Sequence, residues 1–463
     1  MGSNQRNIPT LTRRELLRVG GISLVGGYLN AFQPLNIRAQ EKVRPMATAR
    51  QVIFVNIEGG MSQVDTLDAK EGAWTPGYFN IRSFPNDLKL PVGLFKQLPE
   101  VLDRITVVRS LTAWDAVHGR AQYYIQTGHP LNLALAKEVP AIGAVVCSEL
   151  PRKASDSLPS YIAMNLAGNQ AGPINQGFLS AEFGPLNLSV GDGPPNLTPQ
   201  KGMDETFKRR WDRLQQLDKS MRVGDAHLDH GFADYHDYYR GAWSFMIDPR
   251  VPAIMSITDE DKKRYGSSAI GNSLILARNL IRADAGTRFV MANHGGWDHH
   301  GNIYKENTRN HPVLIKELDA AFSNLIKDLD SIPSKQDPAK TLLDETLVIA
   351  MSEFGRTTGA LSETRQGREH YMQVHSGMFA GGGIRRGAVM GRTDSAGGKI
   401  VDPGWSGNRS IYMEDIACTI YSALGIDWTK RIENTPSGRA YHFVEPASGT
   451  KYVAFKPVQE LFG

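Results

Sequence analysis

Residues 313–329 run Val-Leu-Ile-Lys-Glu-Leu-Asp-Ala-Ala-Phe-Ser-Asn-Leu-Ile-Lys-Asp-Leu, with apolar side chains at helical spacing on one face and charges on the other. Two short β-rich runs bracket this stretch, Arg288-Phe-Val-Met291 before it and Thr346-Leu-Val-Ile-Ala-Met351 after it. Strand, amphipathic helix, strand is the crossover unit of a parallel sheet. Gln51-Val-Ile-Phe-Val-Asn-Ile57 is a further buried strand, emptying into the tight turn Glu58-Gly59-Gly60, and Ile105-Thr-Val-Val-Arg109 adds a fourth. The fold class that follows is α/β, a largely parallel sheet sandwiched between helices.

The organisation predicted is a single domain over residues 48–460 with a loop-rich and helical middle section, about 155–270. Residues 158–196 are rich in Gly, Pro and Asn and predict long loops covering the sheet edge, and a charged helical stretch over 204–222 follows. Cys147 and Cys418 stand alone in apolar stretches without CxxC spacing, which disfavours a thiolate metal site or redox pair and predicts two buried free thiols.

Residues 1–39 have a different character. Thr12-Arg13-Arg14-Glu15-Leu16-Leu17-Arg18 precedes a short, glycine-studded apolar run and a small-residue exit near Ala39, the pattern of a twin-arginine signal peptide. The run is too short to span a bilayer, so no permanent membrane anchor is expected. The expected destination is the periplasm or the extracellular space, with the twin-arginine translocase as partner during export of the folded chain. This segment also explains the charge. The chain carries 52 Lys and Arg against 48 Asp and Glu. Setting aside Arg6, Arg13, Arg14, Arg18 and Arg38 against Glu15 leaves 47 of each. A balanced mature chain gives no electrostatic reason to expect nucleic acid as a partner.

Half of the twelve histidines fall in two windows. Asn293-His294-Gly295-Gly296-Trp297-Asp298-His299-His300 begins directly after a strand, where ligand-bearing loops of parallel sheets collect. Asp298 and His300 are spaced to converge on one cation, although a glycine-rich turn satisfying its own backbone accounts for them equally well. A second strand end carries Ser352-Glu353-Phe354-Gly355-Arg356-Thr357, an acid and an arginine suited to a metal ligand and an anion clamp, or to an ion pair closing the strand. Gly367-Arg368-Glu369-His370-Tyr371 adds another acid and histidine, and three such loops raise the prospect of one shared site. His227, His230, Asp234 and His236 have metal-like spacing too, but their strongly polar surroundings mark a solvated face.

In order and spacing, several of these segments resemble an uncharacterised, twin-arginine-exported bacterial family catalogued as a domain of unknown function and described as sulfatase-like. They are Gly59-Gly60-Met61-Ser62-Gln63-Val64-Asp65, His118 with Thr127-Gly128, Ile142-Gly143-Ala144, Gly295-Gly296-Trp297-Asp298, Ser352-Glu353-Phe354-Gly355-Arg356-Thr357 and Gly438-Arg439-Ala440. That family is similar in turn to the alkaline phosphatase superfamily. The resemblance implies an alkaline phosphatase-like fold, a phosphate or sulfate ester substrate of a small molecule or glycan, and a divalent metal (Zn, Ca or Mg) at the strand ends. It implies Glu58 or Asp65 as the acid after the first strand, then Asp298 and His300, and finally Glu353 with His370, as metal ligands. Arg120 or Arg356 would neutralise the anion, and Ser62 would bind an anion or cap the next helix.

The departure lies at the nucleophile. Counting back nine residues from Thr127, the spacing used by sulfatases, lands on His118 rather than on Cys or Ser. His118 is therefore nucleophile, metal ligand or general acid. Phe354 follows Glu353 where an imidazole is expected, which predicts one metal rather than two. The alternative function is a non-catalytic envelope protein that binds a glycan or surface partner. Replacing Arg13 and Arg14 with Lys is expected to block export, so cell fractionation should find the variant as a cytoplasmic precursor. Normal appearance outside the cytoplasm contradicts the twin-arginine assignment.

Overall fold

The computed structural model describes residues 43–166, 174–191, 204–221, 239–448 and 453–463. The signal segment 1–39 and the polar stretch with His227, His230, Asp234 and His236 lie outside the described residues. Eight strands form one sheet: β1 (Gln51–Ile57), β2 (Ile105–Leu111), β3 (Tyr161–Met164), β4 (Leu186–Leu188), β5 (Phe289–Asn293), β6 (Thr346–Ser352), β7 (His375–Ala380) and β8 (Ala388–Met390). Their spatial order is β8-β2-β7-β6-β1-β5-β3-β4. Every neighbouring pair is parallel except the two that β7 makes with β2 and β6.

Among the described residues the helices of eight residues or more are α1 (His118–Thr127), α2 (Ile142–Glu149), α3 (Asp204–Met221), α4 (Ala269–Ala283), α5 (His311–Ser331) and α6 (Met413–Ala423). α5 is the helix expected over 313–329, and Pro312 sits in its first turn, where a missing N–H breaks no helical bond. It links β5 to β6, which flank β1 on either side. All seven residues of β1 are buried. Ile53, Val55 and Ile57 pack in one core with α4 and α5, while Val52 and Phe54 pack in another with α2 and α6. Covering both faces is what makes the strand read as one uninterrupted apolar run.

Residues 158–196 contain part of the sheet as well as loops, because β3 and β4 form its edge. Strands of four and three residues set among Gly and Pro are too short to show a period-2 pattern. Cys147 and Cys418 are buried, unpaired thiols, and burial pushes the Cys147 pKa up to about 12. Among the described residues no helix is long and apolar enough to cross a membrane.

β1, β2, β5 and β6 all end at the same edge of the sheet, so four loops leave from one place. Folding also keeps several histidines uncharged. Burial lowers His129 and His375 to about 4, against about 6.5 for an exposed imidazole. Groups with depressed folded pKa values bind protons more readily when the chain is unfolded. Their contribution is complete above pH 6.5 and is withdrawn as the pH falls toward 4. Calorimetry should therefore show Tm falling between pH 6.5 and 5, before ordinary carboxylates protonate. A Tm constant over that window contradicts neutral burial.

Candidate metal centre

Gly59 lets two of the four loops meet. Its φ is 116°, and a Cβ there would lie 2.5 Å from the Asp298 nitrogen, so only glycine allows the turn after β1 to press against the loop after β5. That second loop carries Asp298 and His300. Beyond β6, a short antiparallel ladder pairs Arg356 with His370 and brings His370 back to the sheet edge. The chain leaving β2 enters α1, whose first residue, His118, is buried.

These elements bring three imidazoles to one carboxylate oxygen. Asp298 Oδ1 lies 3.3 Å from His118 Nε2, 2.9 Å from His300 Nε2 and 3.2 Å from His370 Nε2. The ligating atoms of His118, Asp298 and His370 all lie within 4.8 Å of one another. Each ring is held by its other nitrogen. His118 Nδ1 meets Glu353 Oε1 at 2.8 Å, His300 Nδ1 meets Glu369 Oε2 at 2.6 Å, and His370 Nδ1 meets the Ala116 carbonyl at 2.6 Å. Carbonyl and carboxylate oxygens only accept, so each Nδ1 carries a proton and each Nε2 is the atom turned toward Asp298. Anchoring of this kind is what orients ligating histidines. The His118 Nε2 atom is buried and, although close to Asp298, out of line for a hydrogen bond, so it has no partner. A cation satisfies such an orphaned atom together with the neighbouring carboxylate.

Charge tells the same story. Burial works against the His118 imidazolium, but the facing carboxylates of Asp298 and Glu353 prevail and raise its pKa to about 9. In the metal-free protein at neutral pH, His118 is thus protonated, and either nucleophilic attack or metal ligation requires that its Nε2 proton first be displaced. Burial pushes the Asp298 carboxyl up, yet His118, His370 and Arg356 outweigh it and hold the group well below the usual carboxylate range.

Glu353 and Arg356 stand behind this group. The Glu353 carboxylate accepts from the Gly59 nitrogen at 2.9 and 3.1 Å, from the Ser352 hydroxyl at 3.0 Å and from His118, and it is fully buried. It orients His118 where direct ligation was expected of it. Arg356, expected as an anion clamp, is also fully buried. Its Nε donates to the Gly60 carbonyl at 2.9 Å, its Nη1 to the Arg368 carbonyl at 3.0 Å, and its Nη2 to the Gly59 carbonyl and to Asp298.

The remaining expected residues lie elsewhere. Asp65 is bound to Arg368 at 2.7 Å, Tyr304 at 2.7 Å and the Ser62 hydroxyl at 2.6 Å, a closed network that uses up both Asp65 and Ser62. Of the two acids after β1 it is Glu58 that borders the centre, its Oε2 accepting from Asn293 Nδ2 at 2.8 Å. Glu58 and Asp298 line an open cleft of about 520 Å³ with His294, Arg309 and the start of α4. Arg120 is largely exposed and pairs with Asp115 at 3.2 Å. The Ala116 carbonyl and Glu369, which anchor two of the rings, carried no such signal in the sequence. A backbone acceptor is invisible there, and Glu369 shows only as an acid beside a histidine.

The family model described as "Protein of unknown function (DUF1501)" matches residues 49–450. The chain belongs to this family. No curated protein matches it. Solved structures similar in outline include the PsFucS1 sulfatase from Pseudoalteromonas sp., at 13% identity over 90% of this chain and 72% of that one, TM-score 0.34. A protein in the alkaline phosphatase superfamily from Vibrio parahaemolyticus is similar at 11% identity over 86% and 72%, TM-score 0.35. A phosphonate monoester hydrolase, SpPMH from Silicibacter pomeroyi, is similar at 11% identity over 81% and 73%, TM-score 0.36. Overlaps of this quality are likenesses of outline, and the chemistry of this DUF1501 chain rests on its own residues.

Because Glu353 acts through His118, Glu353→Gln is expected to weaken Zn binding about 10–100-fold while leaving the circular dichroism spectrum unchanged. Titration calorimetry in one buffer at one pH measures this. Equal affinity in variant and wild type contradicts the orienting role.

Proposed function

We propose that this chain is an exported, metal-dependent hydrolase of a phosphate or sulfate ester carried by a small molecule or glycan. The observation that carries the proposal is the convergence of three anchored imidazoles on Asp298 beside an open cleft. His118, Asp298 and His370, with His300 alongside, would hold one divalent cation. A set this rich in imidazole suits Zn or a similar transition metal over Ca and Mg, which take oxygen ligands. When bound, such an ion supplies Lewis acidity toward an ester oxygen, or a bound water of lowered pKa.

The chain's own residues have separable tasks. Glu353 fixes the ring of His118, Glu369 that of His300, and Arg356 fixes Asp298 against the turn after β1. His118 shares Asp298 Oδ1 with His300 and His370, which favours the role of ligand over those of nucleophile and general acid. Arg309 stands on the cleft wall and shares its guanidinium between Glu317 at 2.9 Å and the Gly295 carbonyl at 3.0 Å. It is the cationic side chain placed to face an anionic substrate there. Export by the twin-arginine translocase to the periplasm or beyond fits a protein whose metal is acquired on folding inside the cell.

A second reading, a non-catalytic envelope protein binding a glycan or surface partner, is favoured by one fact: Ser62 and Arg356, two of the three expected anion-binding groups, are committed within the protein. Turnover separates the two. Zn-loaded protein is expected to cleave at least one of p-nitrophenyl phosphate, bis-p-nitrophenyl phosphate and p-nitrophenyl sulfate, with His118→Ala and Asp298→Asn each lowering kcat/KM at least ~100-fold. Unchanged rates in both variants, or no cleavage of any of the three, end the hydrolase reading.

A further inference from the structure

The cleft beside the metal centre carries charge of both signs. Among its described lining residues Glu58, Asp298 and Glu317 supply three carboxylates, and Arg309 supplies the one guanidinium. His294 also lines it, but burial lowers its pKa and leaves the ring uncharged at neutral pH. Behind the wall stand Glu353, against His118, and Arg356, against Asp298. Glu369 and Arg365 cancel one another at 2.8 Å. Four carboxylates against two guanidinium groups leave two negative charges, because imidazoles that ligate a metal are neutral. One divalent cation brings the whole to zero.

A glycine pair sets the groups of opposite sign against bare backbone. A Cβ built on Gly295 would stand 3.0 Å from Glu58 Oε2, and one on Gly296, whose φ is 102°, would stand 2.7 Å from Arg309 Nη1. A side chain at either position would crowd the carboxylate or displace the guanidinium. Each charge is also held in place. Glu58 Oε2 accepts from Asn293 Nδ2 at 2.8 Å, and Arg309 donates to Glu317 at 2.9 Å and to the Gly295 carbonyl at 3.0 Å. An anionic ester reaching the metal thus meets the cation and Arg309 as attraction, and Glu58 and Glu317 as repulsion. Of the two acids Glu58 adjoins the Asp298 loop, its carbonyl accepting from the Trp297 nitrogen at 3.1 Å. Repulsion of this kind grows with the charge of the ligand and with the exclusion of water, and Glu58 is only 8% exposed.

We propose that Glu58 sets the charge selectivity of this cleft, so that it takes monoanionic esters, whether sulfate monoesters or phosphodiesters, in preference to the dianion of a phosphate monoester. The inference rests on the ester-hydrolase reading of the site and adds a selectivity residue to it. Phenyl sulfate and phenyl phosphate share a shape, and at pH ~8, above the second phosphate pKa of about 6, they differ by one charge. Both are titrated calorimetrically into Zn-loaded wild type and Glu58→Gln, whose amide oxygen still accepts from Asn293. The substitution is expected to tighten phenyl phosphate about tenfold and phenyl sulfate only about threefold, in proportion to ligand charge, with metal content unchanged. In wild-type turnover at the same pH, p-nitrophenyl phosphate is expected to have a lower kcat/KM than bis-p-nitrophenyl phosphate or p-nitrophenyl sulfate. Equal changes for the two phenyl esters, no binding of either, or loss of the metal in Glu58→Gln overturns the proposal. Fastest cleavage of p-nitrophenyl phosphate overturns it too, while leaving the hydrolase reading intact. If none of the nitrophenyl esters is cleaved the hydrolase reading falls, and the titrations still decide whether Glu58 selects by charge.

Discussion

The guanidinium of Arg356 is fully enclosed, and it binds the carbonyls of Gly59, Gly60 and Arg368 together with the carboxylate of Asp298. One side chain thereby ties the loop after β1, the loop after β5 and the ladder beyond β6 into a unit. A buried cation is tolerated only when its hydrogen bonds are met, and removal of one partner of such a pair typically costs about 3–5 kcal/mol. The carboxylate of Glu353, equally enclosed, makes the matching set of bonds on the other side, accepting from Gly59 and His118. With a fixed charge of each sign behind them, Asp298 and His118 have little freedom to move. The positions of the candidate ligands are set by these buried groups before any ion arrives.

That arrangement explains which parts of the site were legible in the sequence. Asp298 and His300 showed as polar residues just past an apolar strand, where parallel sheets expose such groups, and His370 as a histidine beside an acid in a later loop. Glu353 and Arg356 carried the same signal but sit one layer deeper. Residue type and distance from a strand end do not say whether a side chain faces the cleft or the neighbouring loop. Asp65 and Ser62 illustrate the same ambiguity, since a partner more than three hundred residues away, Arg368, claims Asp65. His118 was found by its distance from Thr127-Gly128, and its role becomes readable only once Nδ1 is seen to be taken by Glu353.

The fold was legible to the extent that its elements are long and covered. β1 and β6 are buried throughout, and α5 presents a wide apolar face, so their periods are strong. The edge strands β3 and β4 and the antiparallel β7 were not visible. The first two are short, and the direction of a strand leaves no trace in its own residues. β7 nonetheless matters for the site, because its reversal lets the chain come back from β6 through His370 before it enters the sheet between β6 and β2.

The central claim is that His118, Asp298 and His370, with His300 beside them, form the inner shell of one metal ion while Glu353 and Arg356 hold that shell from behind. A crystal structure of the Zn-loaded protein, with anomalous scattering recorded at the zinc edge, tests it directly. The predicted result is a single strong peak bonded to the Nε2 atoms of His118 and His370 and to Asp298 at ~2.0–2.2 Å, with Glu353 outside the inner shell. A peak ligated elsewhere, or bound to Glu353 in place of His118, would contradict it.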